Sequence, residues 1–236
     1  MKNSTLIHIE NIFKYTAIWS GIDLINKIII PRKYNRDFVS FIHAIFTLGE
    51  SIKYLINNNN DNDNDNDNDN DNDNDNIEIL TNNNLKVLQI STGYFVYDLI
   101  NIFFISNKIE YLYVLHHVLL IYFYNLFKRY NLGDTFMKLL FLGEITNPPR
   151  IIWEHLKNNN HGGFPHFNHF FTFFFIFVRG LSMPIIHYNK INKSNKIIKN
   201  KNDLKTLIAL TILFNGGNYF WIYKLLLNYI KWSKNK

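Results

Sequence analysis

Apolar residues in this chain form long runs separated by short polar segments. A helix that crosses a bilayer needs about 20 mostly apolar residues, and six segments meet or approach that length. These six segments are Phe38–Ile56, Val87–Ile105, Ile109–Phe127, Thr135–Asn147, Phe167–His187 and Leu204–Ile230. A seventh, Ile9–Ile30, is weaker because charged residues interrupt it. Thr135–Asn147 is short because the pair Pro148-Pro149 cannot continue the hydrogen-bond ladder of a helix.

These runs predict an all-α protein, a polytopic membrane helix bundle of six or seven transmembrane helices that can enclose a lipid cavity. Inside lipid, backbone polar groups must be satisfied within the protein, which leaves helices or closed barrels. The runs lack the period-two alternation of barrel strands, so the barrel is excluded. We divide the chain into an N-terminal segment with the first transmembrane helix (1–35), a transmembrane domain (36–230) and a basic C-terminal tail (231–236).

The transmembrane domain is interrupted at 57–76 by a low-complexity loop in which Asn and Asp nearly alternate. Such a tract cannot bury apolar surface and its like charges repel, so we expect it to be disordered. A calcium-binding role is the alternative, but the Gly and Glu positions of a calcium loop are missing. The tract also lowers the mean hydropathy of the chain to −0.13, which hides its membrane character.

Composition and charge narrow the classes of function. The chain has no cysteine, which excludes a disulfide scaffold, a thiolate zinc site and a cysteine nucleophile. The net charge of +6 comes mostly from lysines in connecting segments. We interpret it as attraction to a membrane surface, with membrane lipids and not nucleic acid as partners. The basic residues divide almost evenly between the two sides of the predicted bundle, so the charges do not assign an orientation.

The adjacent histidines His116 and His117 are the sharpest local feature inside the apolar segments. Adjacent helical residues point about 100° apart, so one imidazole can face a cavity while a carboxylate holds the other. Asp98 lies at a similar depth on the preceding segment, and we therefore predict a contact between Asp98 and one of the two histidines. These three residues are the candidate catalytic set, with a histidine as base or nucleophile. The alternative is that they are packing groups.

Further ionisable residues lie at membrane depth, where they are costly and therefore functional candidates. They are His43, Glu50, Glu144 and Arg179. An ion pair of Arg179 with Glu144 or Asp98 that fixes helix packing is the structural alternative. Four more histidines lie in and beside the predicted loop His155–His169, where their spacing could bind zinc. These loop histidines are better explained by a position at the membrane interface. We therefore predict that the protein binds no metal.

The order and spacing of several motifs resemble the TLC-domain family of multi-pass membrane proteins, which includes the ceramide synthases. The chain looks closest to the small TLC-domain-containing transmembrane branch. The motifs are Asn35–Ala44, Thr92–Leu99 with Tyr94 and Asp98, His116-His117, Gly143–Pro148, and Asn218 with Trp221 and Tyr223-Lys224. The resemblance implies a helix bundle around a cavity for lipid chains, and it adds Tyr94 and Asn218 to His43, Glu50, Glu144 and Arg179 as substrate-binding or ion-pair candidates.

In the ceramide synthases, as the resemblance implies, paired histidines support acyl transfer from acyl-CoA to a sphingoid amine, and His116 and His117 match that pair. The paired aspartates that follow in those enzymes are not matched here, because Leu142–Asn147 supplies a single carboxylate, Glu144. We therefore favour a non-catalytic protein of membrane lipid homeostasis, without cofactors, in the endoplasmic reticulum or another internal membrane.

Two alternatives stay open. One is an acyltransferase of ceramide-synthase type, with acyl-CoA as substrate, Asp98 orienting the histidine, and Lys128 and Arg129 meeting the CoA phosphates. The other is a lipid transporter or trafficking factor, supported by the buried charges and by a break in the last helix at Gly216-Gly217. We found no internal repeat of the kind that transporters carry.

Overall fold

The computed structural model describes residues 2–31, 34–62, 82–105, 111–130 and 132–234. Within these residues the chain is helical and contains no strand, which confirms the all-α prediction. The helices are α1 (Lys2–Ile29), α2 (Asn35–Asn62), α3 (Asn82–Phe104), α4 (Tyr111–Arg129), α5 (Gly133–Glu144), α6 (Asn147–Asn158), α7 (Phe164–Phe175), a π-helical segment π1 (Ile176–Ser182), α8 (Met183–Ile197) and α9 (Lys201–Lys234).

Three helical stretches are long and apolar enough to cross a membrane, by length and composition. They are Asn35–Asn57 in α2, Asn84–Phe104 in α3, and Phe164–Asn192, which runs through α7, π1 and α8. The chain is therefore a membrane-type helix bundle. The larger number of six or seven spans stays a prediction.

The helices from α2 to α9 form a closed ring. Around it, α2 packs against α3, α3 against α4, α4 against α9, and α9 against π1 and α8. The helices α5 and α6 complete the ring, because α5 contacts both α2 and π1, and α6 contacts α2 and α7. The helix α1 lies outside the ring against α2 and α3.

A close approach at Gly93 fixes α1 against α3. A Cβ atom at Gly93 would lie 2.6 Å from the Cβ of Tyr15 and 2.9 Å from the backbone nitrogen of Thr16, so only glycine fits. The Thr16 hydroxyl donates a hydrogen bond to the Gly93 carbonyl (3.2 Å), and the Trp19 indole donates to the Ile90 carbonyl (3.1 Å). These contacts make α1 part of the packed body.

The bundle is apolar on its surface, and its interior combines an apolar core with a group of buried polar side chains. Large apolar side chains on its surface, such as Phe104, Phe173 and Ile212, are more than half exposed. The buried interior contains charged and amide side chains. Those that bear on the site are His43, Asp98, His117, Glu144, Arg179 and Asn218. Such a distribution suits a protein whose outer surface meets lipid and whose centre holds a polar site.

The structure corrects the interpretation of Pro148-Pro149. The prolines begin a helix instead of ending one, because α5 already ends at Glu144 and α6 starts at Asn147 with proline in its first turn. Proline is accepted there since the first N–H groups of a helix have no partner within it. The predicted loop His155–His169 is correspondingly wrong over most of its length, because it contains the end of α6 and the start of α7.

Two further differences concern helix lengths. The predicted break at Gly216-Gly217 is wrong, since α9 runs through both glycines without interruption. The transporter alternative loses the support of a broken helix. The Asn/Asp tract is helical at its start, because α2 continues to Asn62. The remainder of the predicted loop at 57–76 lies outside the described residues.

Candidate functional site

A cavity of about 320 Å³ lies inside the ring of helices. It occupies the end of the bundle where α2 and α4 begin and where α3 and α9 end. Its wall combines charged side chains with aromatic ones, including Tyr113, Trp153, Phe175 and Trp221. Polar groups that converge in a concave space are the usual mark of a binding site.

Asp98 is held in this cavity by an arginine from α2. The Nε of Arg36 donates to Oδ1 of Asp98 (3.0 Å) and its Nη2 donates to Oδ2 (3.1 Å). The Asp98 side chain is only 3% exposed, whereas Arg36 is 39% exposed at the edge of the cavity. The guanidinium also lies 5.4 Å from the centroid of the Tyr113 ring. A bidentate pair of this kind satisfies both carboxylate oxygens at once.

His117 makes the predicted contact with Asp98. Its Nδ1 lies 3.3 Å from Oδ2 of Asp98, although this nitrogen forms no hydrogen bond there. The imidazole stacks on Phe95 with ring centroids 5.3 Å apart. The contact is therefore confirmed, but the carboxylate is already engaged by Arg36.

His116 borders the cavity, as predicted for the second histidine. Its ring stacks on Phe214 at 5.1 Å between centroids and meets the edge of Trp221 at 5.3 Å. Both histidines thus lie where the sequence placed them, one beside Asp98 and one at the cavity wall. A catalytic role for the three residues stays a prediction.

Glu144 lies at the end of α5 and borders the cavity. Asn147 donates a hydrogen bond to its Oε2 (2.7 Å), and Nδ1 of His43 lies 3.6 Å from the same oxygen. His43 is fully buried behind Tyr94, and the two rings stack with centroids 3.9 Å apart and planes 10° apart. Tyr94 itself borders the cavity, so His43 contributes to the site by packing against Tyr94 on the side away from the cavity.

Arg179 lies in π1 and corrects the expected ion pair. Its guanidinium donates to three neutral acceptors. They are Oγ1 of Thr146 (3.0 Å), Oδ1 of Asn218 (3.3 Å) and the carbonyl of Gly143 (2.6 Å). The carboxylates expected to pair with it are bound elsewhere, Asp98 to Arg36 and Glu144 to Asn147. Asn218 is thereby placed in the site as a support for Arg179.

Glu50 is the candidate that the structure leaves outside the site. Its side chain is 31% exposed and forms an ion pair with Lys53 (2.6 Å) one turn along α2. It does not border the cavity. Glu50 is therefore an ion-pair residue of the helix surface.

Three charged side chains that border the cavity, Arg150, Glu154 and Lys224, are not among the residues predicted from the sequence. Arg150 donates to Glu154 (2.8 Å) within α6, and both border the cavity, as does Lys224 from α9. The pair at i, i+4 is detectable in the sequence in principle, but the sequence interpretation assigns no helix to the residues between Pro149 and the predicted loop His155–His169. Lys224 belongs to the motif Tyr223-Lys224 that resembles the TLC-domain family, but nothing in the sequence indicates that its side chain reaches the cavity.

A second, apolar cavity of about 30 Å³ adjoins the first. His116, Glu144 and Arg179 border both cavities. The remaining wall of the second cavity is mainly apolar and comes from α4, α5, α8 and α9. It includes Leu120, Phe123, Phe136, Leu139, Leu140 and Met183. The site therefore places charged groups at the junction between a polar chamber and an apolar one.

The four histidines around α6 and α7 do not converge. His155 packs near the ring of Tyr34, at 5.6 Å between centroids, and Nδ1 of His169 is hydrogen-bonded to the Tyr229 hydroxyl at 2.5 Å. Among the described residues, no group of three or more His, Asp or Glu side chains is placed to hold a metal ion. The zinc alternative has no support from the described part of the chain.

The opposite end of the bundle carries a smaller polar cluster, formed where α4 ends and α9 begins. Arg129 pairs with Asp203 (2.9 Å), and the Tyr130 hydroxyl donates to the same Oδ2 of Asp203. The hydrogen bond from Tyr130, helped by Arg129, holds the pKa of Asp203 below its usual range, and the same bond raises the pKa of Tyr130.

The position of Arg129 and its neighbour Lys128 at this end of the bundle bears on the acyltransferase alternative, in which they would meet the phosphates of acyl-CoA. Lys128 and Arg129 lie twelve residues beyond His116 and His117 along α4, which corresponds to roughly 18 Å at 1.5 Å per residue. The two basic residues expected to meet CoA phosphates therefore lie far from the cavity that contains the histidines.

A family model described as the TLC domain matches residues 33–227 of the chain. No curated protein and no solved structure matches it. The family match covers most of the 236 residues and contains all the residues that border the polar cavity except Asn228. The chain therefore belongs to the TLC-domain family and is a membrane protein of a lipid-related family.

Proposed function

We propose, from its membership of the TLC-domain family, that this protein holds a membrane lipid in the cavity between α2 and α9. In doing so it regulates the lipid composition of its membrane without transforming the lipid. The observation that carries the proposal is the junction of a polar cavity of about 320 Å³ with an apolar one at His116, Glu144 and Arg179. An amphipathic lipid offers the same division into a polar head and an apolar chain.

The contacts of Asp98 favour binding over catalysis. A histidine that acts as a general base is commonly oriented by a third group, often a carboxylate, that accepts a hydrogen bond from its second nitrogen. Here both oxygens of Asp98 accept hydrogen bonds from Arg36, and His117 forms none with it. The carboxylate is thus engaged by a guanidinium and does not orient the imidazole through a hydrogen bond.

An acyltransferase is the second candidate, and the position of His116 supports it. This imidazole borders the cavity beside His117, where it could meet a reacting acyl group. Acyl-CoA would be the substrate in that case. The distance of Lys128 and Arg129 from the cavity argues against the CoA site first expected, so the phosphates would have to meet other cations.

Lipidomics on cells that lack the protein separates these functions. We expect an altered membrane lipid profile, restored both by the natural protein and by a His116→Gln/His117→Gln variant, in which side chains of similar length fill the space without acid–base chemistry. A Ser40→Phe variant, which fills the polar cavity, should fail to restore it. Each variant is compared at equal membrane abundance.

Two outcomes would contradict the proposal. Failure of the double histidine variant alone would favour the acyltransferase. An unchanged lipid profile in cells without the protein would remove the lipid role altogether.

We also propose that the protein is located in an internal membrane, such as the endoplasmic reticulum, because of its family. Imaging that places a tagged full chain at the plasma membrane would refute this location.

A further inference from the structure

The arginines of the polar cavity differ in what they bind. Arg36 donates to the carboxylate of Asp98, and Arg150 donates to the carboxylate of Glu154. Arg179 donates only to a hydroxyl, an amide oxygen and a backbone carbonyl. Its side chain is nonetheless the most deeply placed of the three, because the residue is only 5% exposed. A buried cation without an anion at contact distance is costly unless a ligand supplies one.

The guanidinium of Arg179 also has donors to spare. A guanidinium carries five N–H groups in a planar fork. Nε and one hydrogen each of Nη1 and Nη2 are used by Thr146, Asn218 and the Gly143 carbonyl. One N–H remains on each terminal nitrogen, and Arg179 borders the cavity. An N–H group on each terminal nitrogen can meet the two oxygens of a carboxylate or a phosphate.

The backbone around Arg179 departs from regular α-helical geometry and packs closely against α9. Arg179 lies in the middle of π1, which interrupts the α-helical geometry between α7 and α8. Such π segments occur mostly as local insertions and often at functional sites. The next residue, Gly180, lets α9 approach closely, since a Cβ there would lie 3.0 Å from Cδ1 of Ile222. This approach brings Asn218 within reach of the guanidinium.

The apolar cavity begins on the other side of Arg179. Arg179 and His116 border both chambers, and beyond them the wall consists of side chains such as Leu120, Leu139 and Met183. An anionic group bound at Arg179 would therefore have apolar side chains next to it, and the cavity of about 30 Å³ between them has room for only the first carbons of an attached chain.

We propose that Arg179 binds the anionic group, a carboxylate or a phosphate, of a single-chain lipid whose apolar chain extends toward α4, α5 and α8. This inference rests on the proposed function, because it names the class of lipid that the same cavity holds. Thr146 and Asn218 act as positioning residues that aim the guanidinium fork.

The test is competition binding to the full chain in detergent, with tritiated palmitate as the probe. Unlabelled competitors are palmitate, lysophosphatidic acid, and the uncharged methyl palmitate, all at pH 8. We expect at least one of the two anionic lipids to compete about tenfold or more better than the ester, since charge-assisted bidentate bonds are the stronger kind. The stronger of the two anionic competitors identifies the group as carboxylate or phosphate.

Variants locate the effect. Arg179→Gln should abolish the advantage of the anionic lipids, and Arg179→Lys, which keeps the charge but loses the fork, should retain part of it. Arg129→Gln is the matched control, because it removes an arginine at the far end of the bundle and should leave binding unchanged. The thermal unfolding midpoint of each variant monitors folding.

The outcomes separate this inference from the proposed function. If methyl palmitate competes as well as palmitate and lysophosphatidic acid, lipid binding stands and the role of Arg179 is refuted, whether or not its variants fold. If Arg179→Gln folds and keeps the anionic preference, the inference is likewise refuted. If no lipid binds the natural chain, the proposed function and this inference fall together.

Discussion

The two ends of the bundle use the same kinds of side chain in different surroundings. At the cavity end, Arg36 is paired with Asp98, a carboxylate that is almost completely buried. At the opposite end, Arg129 is paired with Asp203 at the surface, with the arginine mostly exposed. Water screens the second pair more than the first, because Arg36 is partly exposed but Asp98 is buried. Removing one partner of an arginine–carboxylate pair is thus costly where the carboxylate is buried and has a minor effect where the pair is exposed.

The comparison also shows what marks a site. At the far end the recorded contacts of Asp203 are to Arg129 and Tyr130, and they form a closed cluster beside the surface. At the cavity end, Arg179 donates to neutral acceptors and borders open space. The difference is that Arg179 keeps N–H donors that can bind a ligand in the cavity. Counting charged residues along the sequence does not reveal such donors.

The largest expected effect comes from removing the partner of the buried carboxylate. Arg36→Gln leaves Asp98 buried with no guanidinium, and we expect a loss of about 3 kcal/mol in the free energy of unfolding. Arg129→Gln at the other end should cause no measurable change, since exposed pairs contribute little. Denaturant unfolding in mixed micelles measures both. Equal losses for the two variants would show that burial does not distinguish the ends.

The next effect concerns the support of Arg179. Asn218→Leu keeps the size of a residue that is only 1% exposed but removes the oxygen that accepts from Nη1. An unsatisfied buried donor costs about 1–3 kcal/mol, so we expect a loss of that order in the same unfolding measurement. Asn218→Asp, which restores an acceptor, should recover most of it. A neutral result for the leucine variant would mean that Asn218 does not hold the guanidinium.

Much of this fold follows from apolar run length, but the partners of the site residues do not. Run length and rise per residue placed Asp98, His116 and His117 at one depth, and the contact of His117 with Asp98 is confirmed. The direction in which a side chain points around its helix was not predictable, because most positions in these segments are apolar on all sides. Arg36, 62 residues before Asp98, was therefore missed as its partner.

Two local features also misled the sequence interpretation. Pro148-Pro149 was read as an end because proline stops a helix from inside, whereas here it begins α6. The ion pair expected for Arg179 rests on opposite charge alone, whereas this residue lies in π1, which the sequence does not signal. Both errors fall at the cavity, where departures from local rules are expected in functional sites.

A smaller effect is expected at Glu144, the carboxylate that borders the cavity together with Arg179. Glu144→Gln keeps an oxygen that can accept from Asn147 but removes a negative charge from the junction of the two cavities. Repulsion of an anionic lipid falls, and we expect palmitate to bind roughly three- to tenfold more tightly. Competition binding measures the change, and Glu50→Gln on the outer surface of α2 is the matched control. Weaker binding in Glu144→Gln would indicate that the carboxylate contacts the ligand favourably.

The smallest effect is a pH dependence at the far end. The Tyr130 hydroxyl and Arg129 lower the pKa of Asp203 in the folded protein below the ordinary value of about 3.9 for aspartate. A group whose pKa is depressed by folding stabilises the protein above its unfolded pKa, and this contribution is lost as the pH falls through the folded pKa. Tyr130→Phe removes the main cause of the shift, so its pKa should return toward the ordinary value. We therefore expect the unfolding midpoints of the natural chain and Tyr130→Phe to differ slightly at pH 6 and to converge as the pH falls below 4. A difference that grows in acid would mean that Tyr130 stabilises the protonated form of Asp203, which contradicts the direction of the pKa shift.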